Sequence, residues 1–374
     1  MKIGIISTVG GYSWAGSEEM WKLFALEALR AGHAVAVSVQ APIAESEELA
    51  EYRSLGGMIF PYRTLNWLMR RIASQGSYSR FNRMARWKPD LLCISGGPYD
   101  LYKESDLMLF LKANKSPQVF IIQGNAEGFI SGQMQRDSLR RLYLSASRIV
   151  CVSRGNATLL ERQLASGLPA TILPNPIRSR LERPLPWPTD MNNGVRFATV
   201  GRYDVGSKCQ DRTLQAFATS EWKNRNWRLS LFGNGPDQAY LQDLIRYYGL
   251  EDRVVLQGFE RDFKKIWANH HLHILNSRAE GLALALIESM FCGRPAIVTR
   301  TGGNHELLRD ELDGFVSPGD DPEIIRETLE RAWVNRGRWQ AMGEGAFKRV
   351  AEWVPADLGT RLLTTITEAA IVKS

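Results

Sequence analysis

The chain of 374 residues carries a net charge of +7, and 44% of its residues are hydrophobic and 23% charged. This composition excludes a disordered or fibrous chain, and the length is too great for one ordinary core, so we expect a globular protein of two domains. No stretch reaches the roughly 18 consecutive apolar residues that a membrane-spanning helix needs, and the first residues lack the pattern of a secretory signal. We therefore expect a cytoplasmic protein.

Short apolar runs alternate with helical patterns along the first half of the chain. The run Ile3–Ser7 ends in a glycine-rich loop, and a helical pattern follows over Ser17–Ala31. Further strands are predicted at Ala34–Val39, Leu91–Ser95, Val119–Gln123 and Ile149–Ser153. This alternation is typical of parallel α/β units.

A second α/β pattern follows a proline-rich segment at 183–188, which we interpret as a stiff linker because its prolines restrict the backbone. Strands are predicted at Arg196–Val200, Arg228–Phe232, Val254–Gln257, His273–Asn276 and Pro295–Thr299. A late helical pattern over 322–350 is interrupted near Pro355, and a last one covers Ala356–Ile371. We therefore predict two Rossmann-like halves, with ligands beyond the carboxyl ends of the strands.

The cysteines and histidines do not indicate a metal site. The cysteines are widely separated and form no C-x-x-C pair: Cys93, Cys151, Cys209 and Cys292. This spacing favours reduced thiols over disulfides or zinc ligands. Three histidines lie close together, His270, His271 and His273, without an acidic or cysteine ligand at metal-site spacing. We interpret them as a polar turn before the strand Leu272–Leu275.

Basic residues are concentrated in the first half of the chain. Residues 1–190 contain 23 Lys/Arg against 16 Asp/Glu, whereas residues 191–374 contain 24 of each. The segment 52–89 holds eight basic residues and no acidic one, with tryptophan and other apolar residues between them. It is typical either of a solvated face or of a surface for an anionic partner. We carry forward the hypothesis that 52–89 contacts an anionic lipid-linked glycan or the inner face of the cytoplasmic membrane.

A strand, a Glu-Gly turn and an apolar helix are predicted in succession over Asn276–Pro295. A helix N-terminus binds phosphate readily, and Gly281 lets the backbone approach a ligand closely. Glu280 and Glu288 each have the chemistry to hold a vicinal diol of a sugar or ribose, because a carboxylate accepts several hydrogen bonds. The alternative makes Glu280 a helix cap and Glu288 a surface residue. If both lay on one helix they would be about 12 Å apart, too far for the carboxylate pair of a glycosidase.

A second cluster follows the strand predicted before Gly201. Arg202 and Lys208 lie on the loop after this strand, where two cations can clamp a diphosphate and neutralise its charge. Arginine binds such a group bidentately, and lysine binds it as a point charge. The alternative makes both residues solvated loop residues and Asp211 a helix N-cap.

Together these stretches resemble the family 4 glycosyltransferases (glycosyl transferases group 1), which are retaining enzymes of GT-B fold with an E-x7-E motif. Glu280 and Glu288 fit that motif, and Gly201, Arg202 and Lys208 fit the GR…K element. Further similar landmarks are Leu231–Pro236, Thr301–Phe315, Ala15–His33, Val152–Ser153 and Leu173–Pro176. The ordered set spans residues 1 to about 350, and no single motif is as specific as their order.

The resemblance implies an architecture of two Rossmann-like domains facing a central cleft. It places an acceptor domain at 1–187, a nucleotide-sugar donor domain at 188–355, and a C-terminal helix at 356–374 that packs back on the first domain. The acceptor would be a glycan, a lipid-linked sugar or another hydroxyl compound, with no nucleic acid involved. The anomeric configuration would be retained.

The resemblance also implies roles for the matching residues. Arg202 and Lys208, with Gly201, would bind the diphosphate and stabilise the leaving group. Glu280 would contact the donor sugar and Glu288 the ribose. The backbone of the turn would meet the sugar and the distal phosphate, at Gly281, Leu282, Ala283 and Leu284, and Gly16 would let the first loop close onto the donor. The donor would be a UDP- or GDP-linked sugar, with no metal and no further cofactor.

Some positions depart from the family pattern. Gln123-Gly124 stands where many relatives carry His-Gly, on the acceptor side, and glutamine donates a hydrogen bond but is neither acid nor base. Cys209, Pro176 and Ala283 each replace a common glycine. Two alternatives stay open, a nucleotide-sugar epimerase and a non-catalytic transferase-like binding protein. A dinucleotide-dependent oxidoreductase is disfavoured, because no G-x-G-x-x-G opens a helix after the first strand.

Overall fold

The computed structural model describes residues 1–11, 13–63, 79–99, 101, 105–129, 131–188 and 194–371. The chain forms two compact units. The first comprises Met1–Pro176 together with Ala356–Ser374, and the second comprises Ile177–Pro355.

The described part of the first unit is built on a seven-stranded parallel sheet. Its strands are β1 (Lys2–Ser7), β2 (Ala34–Gln40), β3 (Met58–Tyr62), β4 (Leu91–Gly96), β5 (Gln118–Ile122), β6 (Arg148–Cys151) and β7 (Ala170–Ile172). They lie in the order β3-β2-β1-β4-β5-β6-β7. Because β1 pairs with β2 on one side and β4 on the other, the chain reverses direction across the sheet at β1 and β4. The loops after these two strands therefore lie at the switch point where α/β sheets bind ligands.

Helices cover the sheet of the first unit. They are α1 (Glu18–Arg30), α2 (Ala41–Ala44), α3 (Ala50–Ser54), α4 (Asn82–Trp87), α5 (Ser105–Ala113), α6 (Gln133–Leu144) and α7 (Arg154–Leu164), with 3-10 turns at Glu47–Leu49 and Ser79–Phe81. α1 buries Trp21, Phe24 and Ala28, which recur at the spacing of one helical face. The chain leaves α1 through Gly32, whose φ of 82° is left-handed.

The second unit repeats this arrangement with a parallel sheet of six strands among the described residues. The strands are β8 (Val195–Val200), β9 (Trp227–Phe232), β10 (Val254–Gly258), β11 (Leu272–Leu275), β12 (Ala296–Thr299) and β13 (Gly314–Ser317), in the order β10-β9-β8-β11-β12-β13. β11 pairs directly with β8, through Leu272 opposite Phe197 and His273 opposite Ala198. The loops after β8 and β11 are thus neighbours, although they are far apart in sequence.

Nine described helices accompany the second sheet. They are α8 (Val205–Lys208), α9 (Gln210–Phe217), α10 (Ser220–Lys223), α11 (Gln238–Tyr247), α12 (Phe263–Ala268), α13 (Leu284–Phe291), α14 (Asn304–Leu307), α15 (Pro322–Val334) and α16 (Trp339–Trp353), with a 3-10 turn at Arg336–Arg338. The core between helices and sheet is aromatic. Trp222 contacts Phe217 and Trp227 edge-on, and Trp339 packs edge-on against Phe197. The prediction of two α/β halves is confirmed.

The last helix, α17 (Leu358–Ile371), belongs to the first unit, as expected for the C-terminal helix. α16 ends at Trp353, just before Pro355, because proline has no N–H and disfavours a helical conformation in the residue before it. α17 packs on α1 so closely that a Cβ on Gly359 would lie 2.6 Å from Cγ of Glu27.

The proline-rich segment at 183–188 lies against the second unit and does not behave as a separate linker. Arg294 is 1% exposed, and its guanidinium donates to the carbonyl oxygens of Pro186 (2.6 Å) and Leu185 (3.3 Å). The same guanidinium lies 5.3 Å from the ring of Trp187. These contacts fix the segment to the second unit, because a buried guanidinium must have its donors satisfied.

The three neighbouring histidines lie at the start of β11, where a polar turn entering the strand was expected, and all three are buried. His270 hydrogen-bonds the Ile266 carbonyl and the Ser230 hydroxyl, and His273 hydrogen-bonds Ser289 Oγ at 3.0 Å. Burial lowers the pKa of His271 to about 4 and that of His273 to about 3, so these rings are neutral at pH 7. Among the described residues, no cluster of three His, Cys, Asp or Glu side chains could hold a metal ion.

The basic segment 52–89 is described in part, and residues 64–78 lie outside the described residues. Arg80 is buried and ion-paired with Asp106, so it is not part of a surface. Arg83, Arg86 and Lys88 are exposed.

The four cysteines are buried free thiols. No helix in the described ranges is long and apolar enough to cross a bilayer.

Candidate functional site

The loop after β8 begins at Gly201 and leads into α8. Asp204 caps this helix through the N–H of Ser207, and the Val205 N–H donates to Asp237 at 2.8 Å. The loop at 233–237 packs against the backbone of the Gly201 loop. A Cβ on Gly233 would lie 2.0 Å from the Gly201 carbonyl oxygen, so the Gly201 loop requires glycine at position 233.

Lys208 and Glu280 are in direct contact. Nζ of Lys208 lies 2.5 Å from Oε1 of Glu280, and the two side chains are 21% and 10% exposed. The backbone supports this contact, because the Arg278 N–H donates to the Ser207 carbonyl at 2.8 Å. The fold therefore brings together two clusters that the sequence analysis identified separately. It places both side chains beyond the carboxyl ends of the adjacent strands β8 and β11.

Arg202 lies on the same loop and pairs with Asp204 two residues later. Its side chain is 41% exposed, and its carbonyl accepts a hydrogen bond from Gln210 at 2.6 Å. The backbone at Arg202 is therefore fixed. The Asp204 carboxylate holds the Arg202 guanidinium at the surface. A bound anion would have to compete with this carboxylate for the guanidinium.

The turn before α13 is held by the segment at 302–304. The Gly303 N–H donates to the Gly281 carbonyl at 2.5 Å, and the Ala283 N–H donates to Oδ1 of Asn304 at 3.0 Å. At Gly302 a Cβ would lie 2.3 Å from the Glu280 carbonyl oxygen, and its φ of 51° is left-handed. The Thr301–Phe315 landmark therefore shapes the turn that carries Glu280.

The N-terminus of α13 carries no side-chain cap, because the residue at the N-cap position is Ala283. The first N–H groups of a helix have no partner within the helix and give that end a partial positive charge. Leu282 and Ala283 are buried, and Leu284 is half-buried. Asn304 accepts the hydrogen bond from the Ala283 N–H, and the N-terminus of α13 keeps its partial positive charge without an acidic or hydroxyl side chain at the N-cap.

Glu288 lies inside α13 and is 2% exposed, so the alternative of a surface residue is wrong. Its Oε1 lies 3.0 Å from Nε of Arg178. Because α13 begins at Leu284, Glu280 precedes the helix, and the 12 Å separation expected for a straight helix does not apply. Arg178 was missed by the sequence analysis, since no motif or spacing connects it with Glu288.

In the first unit, polar residues gather beyond the carboxyl ends of β1, β4 and β5. Gln123 is buried, and its Nε2 donates to Oγ of Ser95 at 2.7 Å. Gly124 is half-buried beside it, and Gly16 is exposed in the turn before α1. The Ser95 hydroxyl on β4 therefore fixes the orientation of the Gln123 amide by accepting a hydrogen bond from its nitrogen.

Glu18, the acidic residue after Gly16, is fully buried. It accepts a hydrogen bond from Oγ of Ser7 at 2.9 Å. Burial raises the pKa of Glu18 to about 7, although its hydrogen bonds act in the opposite direction. This buried carboxyl joins the start of α1 to β1 through its hydrogen bond with Ser7.

Comparisons with known proteins identify a family resemblance in the second unit. Residues 194–335 match the family model described as glycosyl transferases group 1, and this range includes Gly201, Arg202, Lys208, Glu280 and Glu288. The second unit therefore carries a glycosyl transferases group 1 domain.

Curated relatives match over about a third of the chain. An exopolysaccharide phosphotransferase of Streptomyces coelicolor is 34% identical over 144 residues, which are 38% of this chain and 15% of that protein. The N-acetyl-alpha-D-glucosaminyl L-malate synthase of Bacillus anthracis is 30% identical over 125 residues, 33% of each protein. The chain thus spans a third or less of these relatives' lengths.

Solved structures match over nearly the whole chain. The Anabaena protein HepE, crystallised in complex with UDP and glucose, has a TM-score of 0.76 at 17% identity. The match covers 98% of this chain and 100% of that one. The fold is therefore the GT-B fold, with two Rossmann-like α/β domains.

Proposed function

We propose that this protein is a glycosyltransferase that moves a sugar from a nucleoside-diphosphate sugar to a hydroxyl acceptor. The contact between Lys208 and Glu280 carries the proposal, because it joins a cation suited to a diphosphate with a carboxylate suited to sugar hydroxyls. Both groups lie within the glycosyl transferases group 1 domain. The UDP and glucose in the crystal structure of the HepE relative support the same class of donor.

In the proposed reaction, the bond between the anomeric carbon and the diphosphate oxygen breaks, and a bond to the acceptor oxygen forms. The hydroxyl proton of the acceptor passes to water, and the nucleoside diphosphate leaves with additional negative charge. Lys208 and Arg202 would stabilise that charge, and the uncapped N-terminus of α13 would meet the distal phosphate. Glu280 would hold the sugar hydroxyls and Glu288 the ribose diol.

We further propose the finer assignments that the motifs imply. The protein would belong to family 4 through its E-x7-E motif, and it would retain the anomeric configuration. The donor would carry UDP or GDP. Charge on the leaving group would be borne by Lys208 and Arg202 without a metal ion. On the acceptor side, Gln123 and Gly124 would contribute hydrogen bonds, and the acceptor would be a glycan or a lipid-linked sugar.

We also propose that the exposed cations at the end of the basic segment 52–89 contact an anionic membrane. Arg83, Arg86 and Lys88 are the exposed cations of its second described part, and each cation near an anionic membrane contributes roughly 1 kcal/mol. Flotation with anionic liposomes at low salt is the measurement. Absence of binding would reject peripheral attachment at the cytoplasmic membrane.

The function is tested by a thermal-shift screen of the purified protein against UDP, GDP, ADP, CMP, NAD and the common sugar nucleotides, with EDTA present. We expect one nucleoside diphosphate and its sugars to raise the melting temperature by about 5 °C or more at a hundredfold excess over Kd. Product formation from that sugar nucleotide then separates a transferase from a binding protein. A response to NAD alone, or to no sugar nucleotide, would contradict the proposal.

A further inference from the structure

Arg178 contacts the buried carboxylate that the proposed function assigns to the donor ribose. Nε of Arg178 lies 3.0 Å from Oε1 of Glu288. The Arg178 side chain is 28% exposed and that of Glu288 is 3% exposed. The pair therefore extends from the interior of α13 to the surface of the second unit.

Glu288 lies on a helix that is apolar except for Glu288 itself and Ser289. Leu286, Ile287, Met290 and Phe291 are fully buried around it. A carboxylate in such surroundings becomes protonated unless a positive charge offsets its lost hydration. Arg178 places a positive charge beside this carboxylate, which offsets part of its lost hydration.

The segment that carries Arg178 is firmly attached to the second unit. Ile177 and Leu181 pack on a cluster that includes Trp267 and Cys292. Arg180 donates to the carbonyl of Val354 at 2.6 Å, and its guanidinium lies 5.2 Å from the ring of Phe291 in α13. The backbone on both sides of Arg178 is therefore fixed, and the guanidinium is held in place before any ligand binds.

We propose that Arg178 is a positioning residue for the donor, which holds the Glu288 carboxylate ionised and oriented to accept the hydroxyl groups of the nucleotide ribose. This inference rests on the proposed function. A carboxylate has about four lone-pair sites, so it can accept from a ribose diol while one oxygen stays paired with Arg178. An ionised acceptor binds the hydroxyls more strongly than a neutral carboxyl group, roughly by a factor of two in hydrogen-bond energy.

The test compares nucleotides with and without the diol. The probes are UDP, GDP and their 2′,3′-dideoxy analogues, with dissociation constants measured by calorimetry on the full chain. For the wild type we expect the dideoxy analogue of the preferred nucleotide to bind at least about tenfold more weakly. Glu288→Gln and Arg178→Gln should both reduce this discrimination, and the double variant should show no further loss, because the two residues act as one unit.

The pH dependence separates this role from a merely structural one. In Arg178→Gln the buried carboxyl lacks the positive charge that offsets its lost hydration, so discrimination should be weaker at low pH than at high pH. The wild type should discriminate equally at low and high pH. Arg178→Lys should restore much of the discrimination at low pH, since lysine supplies the charge without the planar geometry.

The outcomes distinguish the two proposals. If the wild type binds no nucleoside diphosphate, the proposed function and this inference fail together. If the wild type discriminates but Arg178→Gln and Arg178→Lys both keep the wild-type ratio at every pH, only the role of Arg178 is refuted. Should Arg178→Gln not fold, Arg178→Ala takes its place in the same pH series, and wild-type discrimination by that variant at every pH would refute the role of Arg178.

Discussion

Lys208 Nζ lies 2.5 Å from Glu280 Oε1, although the two residues are 72 positions apart in the chain. The pairing of β8 with β11 makes this contact, because it places the loops after these strands side by side. A cation and a carboxylate at such a distance, both partly exposed, form a preorganised polar site. Their positions at the carboxyl ends of parallel strands agree with the general location of ligand sites in α/β folds.

The first prediction concerns this pair. Lys208→Ala and Glu280→Ala should each lower kcat/KM by about 10²–10³-fold, because each removes one group that stabilises charge or orients the sugar. Lys348→Ala, which changes an exposed lysine on α16, should leave the rate unchanged. Steady-state kinetics with the sugar nucleotide from the thermal-shift screen is the measurement. Full activity of Lys208→Ala would falsify its role at the diphosphate.

Arg202 provides the second prediction. We expect Arg202→Ala to lower turnover by about 10²–10³-fold, because it removes a donor to the leaving diphosphate. Arg246→Ala is the matched control, since Arg246 also pairs with a nearby aspartate, Asp243, on the surface of the second unit. Equal rates for the two variants would show that Arg202 is an ordinary surface cation.

The third prediction concerns Glu18 and pH. Because its folded pKa of about 7 lies above the usual value of 4.5, its ionisation opposes folding. The contribution of Glu18 to the free energy of unfolding is fully present below about pH 4.5. It is lost as the pH rises through about 7. Glu18→Gln should therefore exceed the wild type in free energy of unfolding by about 2–3 kcal/mol at pH 8 and show little difference at pH 4.

Urea unfolding of the two proteins at both pH values measures this effect. The glutamine still accepts the hydrogen bond from Ser7, so the comparison isolates the charge. The buried histidines are the same in both proteins and cancel. A constant difference between the proteins across this pH range would contradict the assignment.

The fourth prediction tests the turn before α13. Gly302→Ala should destabilise the protein by about 2 kcal/mol or more, because its Cβ would strike the Glu280 carbonyl and its φ is left-handed. It should also weaken nucleotide-sugar binding, since the displaced backbone carries Glu280. Gly337→Ala, which meets nothing within 4 Å, should change neither quantity. Wild-type stability of Gly302→Ala in urea unfolding would show that the turn adapts.

Long, fully buried strands were predictable from the sequence. The runs that became β1, β2, β4, β5 and β6 are nearly continuous stretches of apolar residues, which is typical of parallel strands covered on both faces. β3, β7 and β13 were missed. β3 is an edge strand that contains Pro61, and β7 has three half-buried residues, so neither presents a continuous apolar run. β13 begins with a glycine, a residue that is uncommon in strands.

The residue types of the candidate site were also predictable, but their contacts were not. Arg202, Lys208, Glu280 and Glu288 belong to local motifs, and local motifs can be read from sequence. The pairing of Glu288 with Arg178 depends on how the segment after Pro176 packs on α13. No periodicity or spacing encodes such a contact between residues 110 positions apart. The same reason explains why the burial of Arg294 against the proline-rich segment was missed.

The return of α17 to the first unit makes the second unit an insertion within the first. The chain enters the second unit at Ile177 and leaves it at Pro355, and the bond from Arg180 to the Val354 carbonyl holds these two points together. During synthesis on the ribosome, the second unit is complete while the first still lacks the helix that packs on α1. We therefore expect the inserted unit to fold first, with the surrounding unit closing its core after residue 371 has emerged.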